Sequence, residues 1–148
     1  TVPVLDLRVN DASKVIGDRS YSKNKKIVSK LGNICIELFQ NNSIGTVMKH
    51  IPGHGLAKVD SHYSTPIINK TYGYLLKNDF WTFKKKKCLF AMTGHVVYSK
   101  IDKNNAFAFA PRTRYWEALG PAPHSTHFFT YSLPVFSFGL VEAANFTA

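Results

Sequence analysis

Acidic residues are scarce in this chain: nine Asp and Glu stand against nineteen Lys and Arg, giving a formal net charge of +10 over 148 residues. Such an excess favours anionic partners, whether nucleic acid, a membrane surface or an acidic substrate. Several of the lysines fall in the run Lys84 to Lys87, which reads as a solvated helix end because no nucleic-acid-binding motif accompanies it. Neither nucleic acid nor membrane is therefore expected as a partner. Cysteine is nearly lacking. Cys35 and Cys88 both lie among apolar neighbours, so two buried thiols are expected rather than a bridge, which fits a reducing compartment. No apolar run is long enough to span a bilayer, and no signal-peptide pattern is present. The first residue is Thr1 rather than Met, as in an internal piece whose own start lies elsewhere. Gly-x-Ser-x-Gly, Gly-x-x-x-x-Gly-Lys and Gly-x-Gly-x-x-Gly are all missing, which argues against serine-nucleophile, P-loop and dinucleotide chemistry.

What the sequence does have is one short segment dense in proton-carrying groups. Lys49-His50-Ile51-Pro52-Gly53-His54-Gly55 closes at Asp60-Ser61-His62, immediately after the apolar run Ile44 to Met48. A buried strand that ends in Lys-His and then Pro-Gly delivers charge to a loop, the usual position of a site in parallel α/β folds.

The surrounding pattern agrees with that class. Val2 to Leu7 suits a buried parallel strand with a carboxylate, Asp6, near its end. A polar loop follows from Arg8 to Ser22, in which Arg19 either clamps a ligand oxygen or pairs with Asp18, the spacing favouring the pair. Ile27, Leu31, Ile34 and Leu38, flanked by Val28, Cys35 and Phe39, predict a helix over Lys23 to Asn41 with one packed face and Ser22 as N-cap. After the strand at Ile44 to Met48, a second helix is expected over Tyr72 to Lys87, with lysines in its last turn where the dipole favours them, and then a strand at Cys88 to Thr93. Strand, helix, strand, helix, strand is the signature of βαβ units. Beyond Lys103 lysine vanishes while phenylalanine and proline become frequent. We expect one unit over residues 1–104 and an unassigned aromatic and proline-rich tail over 105–148, with one or two strands in Thr126 to Phe138 and a helical turn at Arg114 to Leu119.

Two chemistries compete for the central loop. Asp60 and His62 can act as a general acid/base pair, the carboxylate fixing the imidazole tautomer and stabilising the imidazolium. Alternatively His50, His54, Asp60, His62 and His95 supply ligand types suited to zinc. Against zinc, Pro52-Gly53 prevents a helical turn that would align His50 with His54, and neither Cys-x-x-Cys nor His-Glu-x-x-His occurs. No metal or other cofactor is expected. His54, between two glycines, is expected to hydrogen-bond backbone and hold the loop's shape.

The same residues carry a resemblance. Lys49-His50-Ile51-Pro52-Gly53-His54-Gly55, with Asp60-Ser61-His62 and Thr65-Pro66, resembles the signature of the bacterial β-N-acetylhexosaminidases of glycoside hydrolase family three. Pro3-Val4-Leu5-Asp6, Ile16-Gly17-Asp18-Arg19-Ser20-Tyr21 and Met92-Thr93-Gly94-His95 are similar to further segments of that family, in the same order, so that the likeness spans roughly Val2 to Asn104.

The resemblance implies an α/β fold, a partial (β/α)8 TIM-type barrel of parallel strands followed by a divergent C-terminal segment. It implies cytoplasmic hydrolysis, with retention, of terminal β-linked N-acetylglucosamine from peptidoglycan-derived glycans or muropeptides. By the same likeness His62 is the acid/base, Asp60 tunes it, and Arg19, Lys49 and His50 hydrogen-bond the sugar. The family's attacking carboxylate should come from a later Ser-Asp-Asp segment, which this sequence lacks; after Asp102 its only carboxylates are Glu117 and Glu142. A whole barrel takes about 250 residues, so this chain is expected to hold part of one and to be inactive alone. The alternative is a non-catalytic sugar- or nucleic-acid-binding fragment.

Overall fold

The computed structural model describes residues 1–104, 127–131 and 138–141. Its spine is a four-stranded sheet in the order β1 (Val47–Ile51), β3 (Phe90–Thr93), β5 (His127–Tyr131), β6 (Phe138–Val141). β1, β3 and β5 run parallel and β6 closes the row antiparallel. A second, two-stranded parallel sheet pairs β2 (Ile67–Ile68) with β4 (Val97–Tyr98), short strands that the sequence pattern does not reveal. The α/β class with parallel strands is thus present, carried by two small sheets. Of the expected strands in Thr126 to Phe138, β5 lies inside that span and β6 begins at its last residue; the helical turn expected at Arg114 to Leu119 lies outside the described residues.

Val2 to Leu7 is buried from Pro3 onward and extends the sheet beside β1 through a parallel bridge between Val4 and Lys49. Three backbone bonds hold it there: Val47 N–H to Val2 O, Lys49 N–H to Pro3 O, and Leu5 N–H to Lys49 O. β1 itself lies three residues later than its apolar run suggests and takes in Lys49 and His50, because pairing with Val2–Leu7 on one side and β3 on the other supplies the backbone partners that an exposed Lys-His would otherwise find in water.

Helix α1 (Lys25–Asn41) follows the expected period, but Asn24 rather than Ser22 is its N-cap, accepting the Lys26 N–H at 2.9 Å. Ser22 instead accepts the N–H of Asn24 at 3.1 Å and shapes the approach. The row it buries is Val28, Gly32 and Ile36, while Ile27, Leu31, Ile34 and Leu38 stay exposed. The expected helix over Tyr72 to Lys87 is two pieces. α2 (Tyr72–Lys77) is capped by Thr71 and stops at Asn78, and a 3-10 turn follows over Phe80–Phe83. The lysine run is accordingly not a helix end: Lys86 is buried and its ammonium donates to Ser29. Cys88 is buried and Cys35 half-buried, and both are thiols.

The core runs from Leu5, Val28 and Ile36 through Met48, Ile51 and Ala91 to Leu75, Phe80 and Tyr98. Phe80 meets Tyr98 edge-on with ring centroids 5.4 Å apart, an arrangement favoured by the aromatic quadrupole. This packing locks the turn after α2 against β4, and so fixes the floor beneath the loop that follows β1.

Candidate active site

The chemistry gathers where Val2–Leu7, β1 and β3 reach their C-terminal ends. Partner registers jump between Lys49 and Ile51, so that His50 is an extra residue in the ladder. In a regular strand neighbouring side chains point to opposite faces; a bulge relaxes that rule and lets Lys49 and His50 both border one cavity. The loop then folds tightly back. A Cβ at Gly55 would lie 2.2 Å from the Leu7 carbonyl oxygen, and Gly53 adopts φ +146° with the Asp79 side chain close against it, so both turns demand glycine.

The cavity holds about 250 Å³ and is bordered by Arg19, Lys49, His50, His54, His62 and His95. All four cavity residues expected from the sequence, Arg19, Lys49, His50 and His62, are therefore brought together, and Asp60 stands directly behind His62. A larger hollow of about 570 Å³ opens at the opposite ends of the strands, around Gln40, Ile44 and Lys87, away from this histidine cluster.

His62 Nδ1 lies 2.6 Å from Asp60 Oδ1, and the same oxygen accepts the His62 backbone N–H at 2.9 Å. The backbone bond, then the ring contact, hold the Asp60 carboxyl below its usual range. An ionised carboxylate accepts only, so Nδ1 carries the proton towards Asp60 and Nε2 is the working nitrogen. The pair is substantially exposed, His62 at 65% of its side chain, which suits a group meant to reach a ligand.

Lys49 is half-buried; burial, then the nearby Arg19 charge, lower its pKa while Asp6 opposes them. Its ammonium donates to Thr1 Oγ1. Arg19 does not pair with Asp18. Its guanidinium folds onto the Val15 carbonyl, and Asp18 meets Arg8 at 3.4 Å instead. Asp18 points wholly into solvent, where a pair to either arginine gains little.

Two buried carboxyls underlie the loop, and neither is recognisable as a site residue from local spacing. Asp6 Oδ2 lies 2.7 Å from His50 Nδ1, and Asp6 Oδ1 accepts the His54 N–H at 2.6 Å. Burial pushes the Asp6 carboxyl up, but His50 and the His54 N–H together outweigh it and hold the pKa below the ordinary value. At Asp79 the balance goes the other way: burial, then repulsion from Asp6, push it up to about 7 against the weaker pull of its own backbone N–H and of the Lys70 charge, and its Oδ1 has no hydrogen-bond partner. For Asp6 the sequence offers a carboxylate inside the apolar run Val2 to Leu7 and its place in the family-like segment Pro3 to Asp6; for Asp79 it offers nothing.

His54 corrects an expectation. It holds the loop through its backbone N–H to Asp6, not through its ring, whose two nitrogens are buried without hydrogen-bond partners. Burial, opposed by Asp6, lowers its pKa. The ring packs against His50 at a centroid distance of 5.6 Å. Among the described residues no group of three or more His, Cys, Asp or Glu is placed to hold a metal ion, and no helix is long and apolar enough to cross a membrane.

Residues 2–120 match the glycosyl hydrolase family 3 N-terminal domain. The chain is 33% identical over 104 residues to a β-hexosaminidase of Nitrosospira multiformis, covering 68% of this chain and 29% of the relative. It is 37% identical over 106 residues to one of Idiomarina loihiensis, covering 70% and 32%. It thus spans about a third of the length of these relatives. Among solved structures it resembles NagZ from Neisseria gonorrhoeae at 30% identity and TM-score 0.65, over 70% of this chain and 31% of that one. A β-N-acetylglucosaminidase from Paenibacillus gives 29% identity and TM-score 0.68, over 72% and 21%.

Proposed function

Because the chain belongs to the glycosyl hydrolase family 3 N-terminal domain family, we propose that it forms the sugar-binding and acid/base part of a retaining β-N-acetylglucosaminidase, a partial (β/α)8 barrel over residues 1–104 followed by an aromatic and proline-rich tail over 105–148 whose strands β5 and β6 extend the same sheet. The substrate is terminal β-linked N-acetylglucosamine on peptidoglycan-derived glycans or muropeptides, met in the cytoplasm during peptidoglycan recycling. The observation that carries this reading is the convergence of Arg19, Lys49, His50 and His62 on one cavity, with Asp60 bonded to the far side of the His62 ring.

In the first step His62, as the imidazolium stabilised by Asp60, gives its Nε2 proton to the departing glycosidic oxygen and becomes the neutral Nδ1–H ring. Arg19 and Lys49, which border the same cavity, donate to sugar oxygens. A carboxylate must attack the anomeric carbon to give the glycosyl-enzyme, which water, deprotonated by His62, then hydrolyses. The Ser-Asp-Asp segment that would supply that carboxylate does not occur in this sequence, so the chain by itself binds and orients but does not turn over.

The test separates binding from turnover. Titration with N-acetylglucosamine should shift the NMR signals of His50 and His62, whereas a chromogenic N-acetylglucosaminide should release no aglycone above blank. Steady turnover that His62→Ala abolishes would refute the assignment of inactivity, and an absence of any shift would refute sugar binding.

A further inference from the structure

Asp6 lies where no contact with a ligand is open to it: it is 1% exposed, beneath the cavity rather than in its wall. Both its oxygens are nonetheless taken by the loop that forms the wall. Oδ1 accepts the His54 N–H at 2.6 Å; Oδ2 meets His50 Nδ1 at 2.7 Å and, with Oδ1, stands 3.3 and 3.4 Å from the His50 N–H. Its own backbone is fixed in turn, since the Asp6 carbonyl accepts the Ser20 hydroxyl at 2.6 Å. The carboxylate therefore sits at the crossing of Val2–Leu7, the turn after Arg19 and the loop after β1.

From this geometry we infer that Asp6 is the positioning residue that holds His50 as its Nδ1–H tautomer, so that Nε2 faces the cavity as a hydrogen-bond acceptor for a ligand hydroxyl. An unprotonated Nδ1 at 2.7 Å would set a lone pair against a carboxylate oxygen, so the proton resides there. The ring edge left to the cavity carries Nε2. Lys49, its neighbour in the chain, and Arg19 border the same cavity and can only donate. The wall thus presents an acceptor next to a donor, which fits a hydroxyl that gives its proton to His50 and accepts one from Lys49. A ligand oxygen without a hydrogen, such as a carboxylate or phosphate oxygen, satisfies Lys49 but opposes the His50 lone pair. At the His50 position the wall therefore favours a neutral hydroxyl over an anionic oxygen, although Arg19 and Lys49 keep the cavity cationic as a whole. This ligand preference rests on the sugar-binding reading above; the tautomer does not.

Asp6→Asn provides a near-isosteric test. The His54 backbone amide can only donate, so the asparagine oxygen must turn to it, and the asparagine amide then faces His50 Nδ1. Imidazole can answer by moving its proton, and His50 should become the Nε2–H tautomer. Long-range proton–nitrogen NMR on labelled histidine, about two pH units above the usual imidazole value, reads this directly, with His50→Gln assigning the signal. The wild-type chain should show Nδ1 protonated and the variant the reverse, with N-acetylglucosamine binding weakened about tenfold through loss of the acceptor. A wild-type His50 protonated on Nε2 overturns the inference without need of any variant. So does a folded Asp6→Asn chain whose tautomer is unchanged. Inversion of the tautomer with no sugar response in either protein supports the role of Asp6 and refutes the sugar reading.

Discussion

At the scale of single residues, the two buried carboxyls carry opposite pH signatures. Asp6 is held below its ordinary pKa. Its contribution to stability is present above the unfolded value and is lost as pH falls through the folded one, so it resists alkali and yields to acid. Asp79, raised from 3.8 to about 7, behaves the other way. Between those values the native chain keeps a proton that the unfolded chain has released, and stability falls as pH rises across that window. The full cost is on the order of a few kcal/mol. Asp79→Asn should therefore raise the urea midpoint clearly at about pH 8 and change it little near pH 4; equal effects at both would mean that Asp79 is ionised throughout. Asp79 also explains a failure of sequence reasoning. Its neighbours in the chain, Asn78 and Phe80, say nothing of Asp6 or of Gly53, which folding sets beside it.

At the scale of elements, α1 shows what periodicity can and cannot convey. The apolar period announces a helix, and the helix is there. Which of two adjacent apolar rows is buried depends on what lies beneath, and Leu5 lies beneath Gly32, so the helix seats on Val28, Gly32 and Ile36. Ile36→Ala should cost about 2–5 kcal/mol, while Leu38→Ala, at a position 60% exposed, should stay within about 0.5 kcal/mol. Comparable losses in denaturant titrations would place the wrong row inward. Leu75, Leu76, Phe80 and Phe83 keep helical spacing across a break, so the pattern predicts one helix where there are two pieces; Asn78, whose side chain donates to the Tyr74 carbonyl, is the stop signal. In the site, Lys49, His50, Asp60 and His62 were legible because they crowd into one stretch of chain. Asp6 was not, since its partners are 44 and 48 residues away.

At the scale of the whole molecule, α1 carries a stripe of Ile27, Leu31, Ile34 and Leu38 on its outer side, each between 38% and 60% exposed. Apolar surface in an unbroken row tends to find cover. Sedimentation at rising protein concentration should show reversible association, and Ile34→Lys with Leu38→Lys should reduce it without loss of folded structure; unchanged association would point to another surface, such as the sheet edge.

The hydroxyl of Tyr98 donates to the carbonyl of Gly53, reaching from the minor sheet into the bend that separates the two loop histidines. That single bond acts as a clasp. When the short β2–β4 ladder frays, the bend loses its anchor and the histidines lose their alignment together, while the four-stranded sheet stands. Amide hydrogens of Val97 and Ser99, which close that ladder on Pro66 and Ile68, should then exchange with solvent in step with the amide of His54, and Tyr98→Phe should quicken all three while leaving Ala91 slow.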